Sequence, residues 1–184
     1  AVTGVQTCAL PIFNRIVLYV SALMEVKSSM GVIVAAPTAG ACAAFPASVI
    51  GACEAIGASE LDMAKAMLAG GVIGVFIASA WTFAAEVGGC QAEGGSASSM
   101  AAAALCALGG GTLSQCVGAA SMALQNMIGL ICDPVGCRVE VPCLGKNVMA
   151  ASNALSCANM AIAGFDAVIP LDEVIQTARR VSEQ

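Results

Sequence analysis

Cys132, Cys137 and Cys143 stand in a C-x4-C-x5-C arrangement, in a stretch interrupted by Pro134, Gly136, Pro142 and Gly145. That spacing matches neither the paired C-x2-C of zinc ribbons nor a thioredoxin-type redox pair. The chain has no histidine, so the commonest nitrogen ligand for zinc and the commonest acid-base group near neutral pH are both missing. Soft thiolate ligation points to an iron-sulfur cluster ahead of zinc, with an all-cysteine zinc site still open. The alternative is three small buried residues packed in a tight turn.

Other chemistry-bearing residues are few. The turn Pro37-Thr-Ala-Gly-Ala41 can offer backbone N–H groups and the Thr38 hydroxyl to a substrate carboxylate, or it can simply join two helices. Glu93 can orient a substrate or support a metal site from behind its ligands, or cap the helix that follows. Asp133 and Glu140 can hydrogen-bond within the cysteine loop, and Ser152 and Asn153 can cap a helix or reach a pocket. For these four the solvated or capping reading is preferred. The lysines are Lys27, Lys65 and Lys146, none in a recognisable pyridoxal motif.

The elements that must position these residues read as helices. Phe13 to Ser29 has apolar residues at near-helical spacing, and the apolar stretch Gly31 to Gly40 follows. Pro46 to Ile56 is a short helix ending at Gly57. Ser59 and Asp62 form a capping-box-like pattern for a helix to about Glu86, with Gly88 and Gly89 as its stop. Ser96 to Leu108 is an alanine-rich helix ended by Gly109, Gly110 and Gly111. Thr112 and Gln115 open the next, to about Leu130, and Val148 to Ala163 and Leu171 to Val181 are the last two. The predicted fold is all-α: a compact bundle of about six helices with buried Ala/Gly-rich central helices and a Cys-bearing loop.

Composition narrows the function classes. The chain is 59% hydrophobic, 10% charged and only 4% aromatic, which favours close-packed helices over a sheet. With a net charge of -5 and seven scattered basic residues, it has no stripe to track a phosphate backbone, so nucleic acid is excluded as a partner. Ten cysteines without a clear signal peptide fit a reducing cytoplasm. The uncharged tracts Ala66 to Ala85 and Gly94 to Cys132 are long enough to span a membrane. They are rich in Ala, Gly and Ser, with neither an aromatic belt nor a flanking basic cluster, so a soluble bundle is preferred and no membrane partner is expected. A helical membrane protein is the rival from a different class.

Five runs, in order and spacing, resemble motifs of the iron-sulfur L-serine dehydratase α domain: Met30-Gly-Val-Ile-Val-Ala-Ala-Pro-Thr-Ala-Gly40, Glu86-Val-Gly-Gly-Cys-Gln-Ala-Glu93, Cys132-Asp-Pro-Val135, Val139-Glu-Val-Pro-Cys143 and Ala151-Ser-Asn-Ala-Leu155. The resemblance covers roughly residues 15 to 182, and several motifs in register are more specific than one pattern. The resemblance implies a four-iron four-sulfur cluster on Cys90, Cys132 and Cys143, with Cys137 a bystander. It implies substrate binding by Thr38, Ala39, Gly40 and Ala41, and L-serine as the substrate. It also implies a β subunit or β domain as partner, in an oligomer. The reaction implied is loss of water from serine to give aminoacrylate, then pyruvate and ammonia, with an open iron as Lewis acid for the leaving hydroxyl. The catalytic base is expected outside this chain. A related lyase acting on another small amino acid, such as cysteine, is the nearest enzymatic rival. The family has small or aliphatic residues where this chain has Cys137 and Arg138, and two basic residues where it has Gly145 and Lys146.

Residues 2–12, Val-Thr-Gly-Val-Gln-Thr-Cys-Ala-Leu-Pro-Ile, look like the translation of a common sequencing-library adapter. Residues 1–12, Cys8 among them, are therefore set aside as non-native, and residues 13–184 are taken as the C-terminal part of the α domain. On that expectation the natural protein is longer at its N-terminus.

Overall fold

Thr112 starts a helix because its hydroxyl accepts the Gln115 amide at 3.3 Å while the Gln115 side chain accepts the Thr112 amide at 2.9 Å, a closed capping box. Ser59 likewise accepts the amide of Asp62 at 3.2 Å and opens a 21-residue apolar helix. In the computed structural model, which describes residues 11–184, the elements are α1 (Pro11–Ser28), α2 (Ala44–Ile56), α3 (Glu60–Ala80), α4 (Ala85–Leu108), α5 (Leu113–Gln125), α6 (Glu140–Ile162) and α7 (Leu171–Ser182). Among the described residues there is no strand, and Val135 and Arg138 form an isolated antiparallel bridge. The all-α expectation holds, with seven helices in place of about six. Residues 1–10, most of the segment read as foreign, lie outside the described residues; Pro11 and Ile12 already belong to α1.

Helix α4 is the axis of the bundle, packed against α2, α3, α5, α6 and α7. From Ala97 to Cys106 every residue is buried, so the helix needs short side chains on all sides. The neighbours come close enough to require it: a Cβ on Gly70 of α3 would stand 2.7 Å from the Met100 carbonyl oxygen. Two of the three serines on this buried helix are satisfied across helix boundaries, whereas Ser96 Oγ has no partner among the described residues. Ser98 donates to the Ala150 carbonyl at 2.8 Å and Ser99 to that of Ala120 at 2.9 Å, which removes the penalty of a buried hydroxyl. Enlarging any of these alanines would overpack the axis, at about 1–3 kcal/mol each.

Several boundaries differ from the sequence expectation: α5 ends at Gln125 rather than near Leu130, and the differences around α4 and α6 bear on the site. Helix α3 stops at Ala80, and α4 begins at Ala85 after Thr82 Oγ1 accepts the Ala84 amide at 3.1 Å. Gly88, Gly94 and Gly95 therefore lie within a helix, and Gly89 alone leaves helical geometry, at φ 71° and ψ −178°. For Gly88 and Gly95 the reason is close approach: a Cβ on Gly88 would meet Trp81 at 2.9 Å, and one on Gly95 would meet Leu124 at 3.0 Å and Met127 at 3.3 Å. Helix α6 begins at Glu140 rather than Val148 because Pro142 falls in the first turn, where a missing amide donor costs nothing.

Among the described residues, α3 is the one helix long and apolar enough to cross a membrane, and less than a third of it is buried. Its outer face exposes Leu61, Leu68, Val72, Val75 and Phe76. The second uncharged tract folds differently, into the buried axis α4 and into α5 beside it.

Candidate metal centre

The kink at Gly89 creates the first half of the site. A side chain there would collide with the Leu130 carbonyl oxygen, 2.7 Å from an ideal Cβ, so glycine permits α4 to lie directly against the segment that follows α5. Gln91 secures the contact from both of its polar ends. Its backbone amide donates to Leu130 O at 2.9 Å, and its buried side-chain oxygen accepts the Gly129 amide at 2.8 Å. Cys90 follows the kink directly, and Cys132 lies two residues beyond Leu130 in an exposed loop.

Cys143 comes from a third segment, the first turns of α6, and is buried as Cys90 is. Burial pushes the Cys143 thiol up to about 11; Lys27 opposes the rise, and Glu93, Cys90 and Cys132 add to it. Burial likewise raises Cys90, against the pull of the Lys146 ammonium, with Cys132 and Glu93 adding smaller pushes. Cys143 thus feels charge at Cys90 and Cys132, and Cys90 feels charge at Cys132. Cys137 stands apart on an exposed tight turn, with Gly136 at φ 58° and itself at φ 62°, closed by the Val135 amide to Arg138 O at 2.7 Å. Positive φ at both central residues is the signature of a type I′ turn.

Among the described residues, no three His, Cys, Asp or Glu side chains converge closely enough to hold one metal ion. A zinc ion would need its sulfurs about 2.3 Å from a single point, whereas a multi-iron cluster distributes its thiolates over several metal atoms. Cys90, Cys132 and Cys143 make an all-thiolate donor set, the ligand chemistry such a cluster takes.

The Pro37–Ala41 turn lies against the same centre. Thr38 donates its hydroxyl to Glu93 Oε1 at 2.6 Å and accepts the Ala41 amide at 3.0 Å. Glu93 sits one helical turn after Cys90, and its carboxyl carbon would be 2.7 Å from a Cβ on Gly40. Ala39 is exposed at the tip while Ala41 is buried. The turn is joined to α6 by buried Asn147, which donates to Gly40 O and to Cys143 O, each at 2.8 Å, and accepts the Ala44 amide at 3.0 Å.

The remaining candidates fall elsewhere. Glu93 is inside α4 and caps nothing. Asp133 bonds Lys146 of α6 rather than its own loop. Glu140, at the start of α6, keeps Oε2 buried without a partner among the described residues. Ser152 donates to Val148 O one turn back, and Asn153 links α4 and α5 through Ser98 Oγ at 2.9 Å and Ala123 O at 2.8 Å. Sequence reasoning missed the structural parts of Gln91, Lys146 and Asn147. The available signal for Asn147 was its i+4 spacing from Cys143, which becomes visible once α6 is begun at Glu140.

Comparison with known proteins gives the family of the chain. The family model for serine dehydratase alpha chain matches residues 3–184. The chain is 42% identical over 159 residues to the probable L-serine dehydratase, alpha chain, of Bacillus subtilis (strain 168), covering 86% of this chain and 53% of that one. It is 44% identical over 151 residues to the L-serine dehydratase, alpha chain, of Peptoniphilus asaccharolyticus, covering 82% and 52%. A probable alpha chain from Latilactobacillus sakei is 41% identical over 159 residues, covering 86% and 76%. The chain belongs to the serine dehydratase alpha chain family. It spans about half the length of the first two relatives.

Proposed function

We propose that this chain forms part of an enzyme that dehydrates and deaminates L-serine to pyruvate and ammonia, and that Cys90, Cys132 and Cys143 hold a four-iron four-sulfur cluster. The observation that carries the reading is that Lys146, three residues after Cys143, bonds both Cys90 and the loop bearing Cys132, beside a turn locked by Thr38, Glu93 and Asn147. When bound by three thiolates, such a cluster supplies an iron with an open position, a Lewis acid for a departing hydroxyl.

The chain's own residues bind and orient. Hydroxide is a poor leaving group, so the substrate must be held with its Cα proton facing a base and its hydroxyl facing the metal. Thr38, Ala39, Gly40 and Ala41 form the carboxylate-binding turn, and Thr38 takes its fixed geometry from the Glu93 carboxylate and the Ala41 amide. Asn147 keeps that turn at a constant distance from Cys143. The base comes from a part of the enzyme beyond these residues, with a β subunit or β domain as partner; the relatives' designation as alpha chains supports this. The exposed apolar face of α3 supports assembly into an oligomer. The described cysteines are all free, which supports a cytoplasmic setting.

The test is anaerobic reconstitution. The protein is expected to take up iron and sulfide, and Cys90→Ser, Cys132→Ser and Cys143→Ser each to lose the cluster or hold it weakly, while Cys137→Ser retains it. Equal loss on replacing Cys137, with none for Cys90, would overturn the ligand set. Pyruvate release from serine, threonine and cysteine by the complete enzyme then decides the substrate.

A further inference from the structure

We propose that Lys146 is the positioning residue that latches the Cys132 loop onto Cys90, so that two of the three thiols are set in place before any metal arrives. The part concerning the metal rests on the function proposed above; the latch itself does not.

Residues 131 to 139 are exposed throughout, so this loop has no buried apolar side chain to fix it. Its start is held by Gln91, and its tip closes only on itself between Val135 and Arg138. Between those points the ammonium of Lys146 gathers three acceptors. It donates to Cys90 Sγ at 3.4 Å, to the Ile131 carbonyl at 3.0 Å and to the Asp133 carboxylate. Ile131 and Asp133 flank Cys132 on either side, so fixing both fixes the backbone that carries the thiol. An ammonium has three donors and here each has a partner.

A surface ion pair would contribute little of this order, because water screens it. Lys146 differs in that its side chain is only 18% exposed, against 48% for Asp133, and in that one partner is a buried thiol. The lysine also brings a positive charge into contact with a candidate ligand. Positive charge beside a cluster thiolate favours the reduced state, so the same residue would raise the reduction potential of a bound cluster.

Limited trypsin digestion of the metal-free protein reads the latch at Arg138, which lies in the loop. Lys146→Met is expected to be cut there about tenfold faster than the parent, because cleavage follows the population of the open loop, while Lys146→Arg stays within about twofold. Asp133→Asn removes the charge of one acceptor without touching a buried residue and is expected to fall between them, which keeps the test usable if Lys146→Met folds poorly. After anaerobic loading, the Lys146→Met cluster should have a lower reduction potential than the parent, and Lys146→Arg should restore it. Equal cleavage at Arg138 in parent, Lys146→Met and Asp133→Asn would overturn the latch, and unchanged potentials would remove the lysine from the cluster. A parent protein that takes up no iron and sulfide would sink the cluster assignment, while the digestion would still decide the latch.

Discussion

The side-chain amide of Asn147 lies 2.8 Å from the carbonyl oxygen of Gly40, a residue 107 positions earlier in the chain. Its other bonds, to Cys143 O and from Ala44 N, make it the joint between the Pro37–Ala41 turn, the start of α2 and the cysteine-bearing end of α6. No apolar residue of that size can replace it without leaving buried backbone groups unpaired. Asn147→Leu is therefore expected to destabilise the fold by about 2–4 kcal/mol, since each unsatisfied buried group costs about 1–3 kcal/mol. Asn147→Asp should be at least as harmful, because a carboxylate cannot donate to two carbonyls. Urea midpoints measure both; a shift below about 0.5 kcal/mol for either would show that the joint carries no weight.

Glycine substitutions separate backbone conformation from mere proximity. Gly89 holds φ 71° and ψ −178°, with the Leu130 carbonyl where a Cβ would go, so Gly89→Ala meets both strain and a backbone clash. A loss of more than about 2 kcal/mol is expected, since conformational strain of this kind alone costs about 1–3 kcal/mol. Gly40→Ala meets the end of the Glu93 side chain, which can swing aside, so its stability should change by about 1 kcal/mol or less while the Thr38–Glu93 bond is lost. Gly71→Ala on α3 meets nothing within 4 Å and should stabilise by about 0.5–1 kcal/mol through helix propensity. Thermal melts of the three variants should rank Gly71→Ala above Gly40→Ala above Gly89→Ala, and any other order contradicts the argument.

The ranking also explains what could be read in the sequence. The existence of the helices was legible, because Ser59 and Thr112 announce their starts by side-chain chemistry that needs no tertiary partner. Their ends were not legible where glycine serves packing. Gly88 and Gly89 looked like a stop, yet Gly88 lies inside α4 with Trp81 pressed against it and Gly89 only kinks the helix. Pro142 looked like an interruption and instead occupies the first turn of α6. The site followed the same division. Cys132 and Cys143 stood out by spacing, whereas Cys90 could be added only by resemblance, because its approach depends on the Gly89 kink and on Gln91. Lys146 and Asn147 reach Cys90 and Gly40 across long stretches of chain, contacts that no local pattern marks, and only the Asn147–Cys143 spacing was local.

Buried thiols give the fold a defined alkaline weakness. Burial pushes Cys157, at 1% exposure on α6, up from 9.0 to about 11. Burial also raises Cys106, and its interaction with neighbouring Cys116 adds to the rise. The slope of unfolding free energy with pH follows the difference in bound protons between unfolded and folded chains. Below the unfolded value of 9.0 both states keep the Cys157 proton, so the contribution is constant. Between 9.0 and about 11 the unfolded chain releases the proton and the folded chain retains it, so the unfolded state gains and stability falls as pH rises. Cys157→Ala removes one such proton and should flatten the decline across that window, after an initial loss of about 1 kcal/mol from the vacated volume. Cys137→Ser, at an exposed position, should leave the slope unchanged. Urea midpoints from pH 7 to pH 11 under reducing conditions provide the measurement. If Cys157→Ala kept the slope of the parent across the alkaline limb, the buried thiol would not be its source.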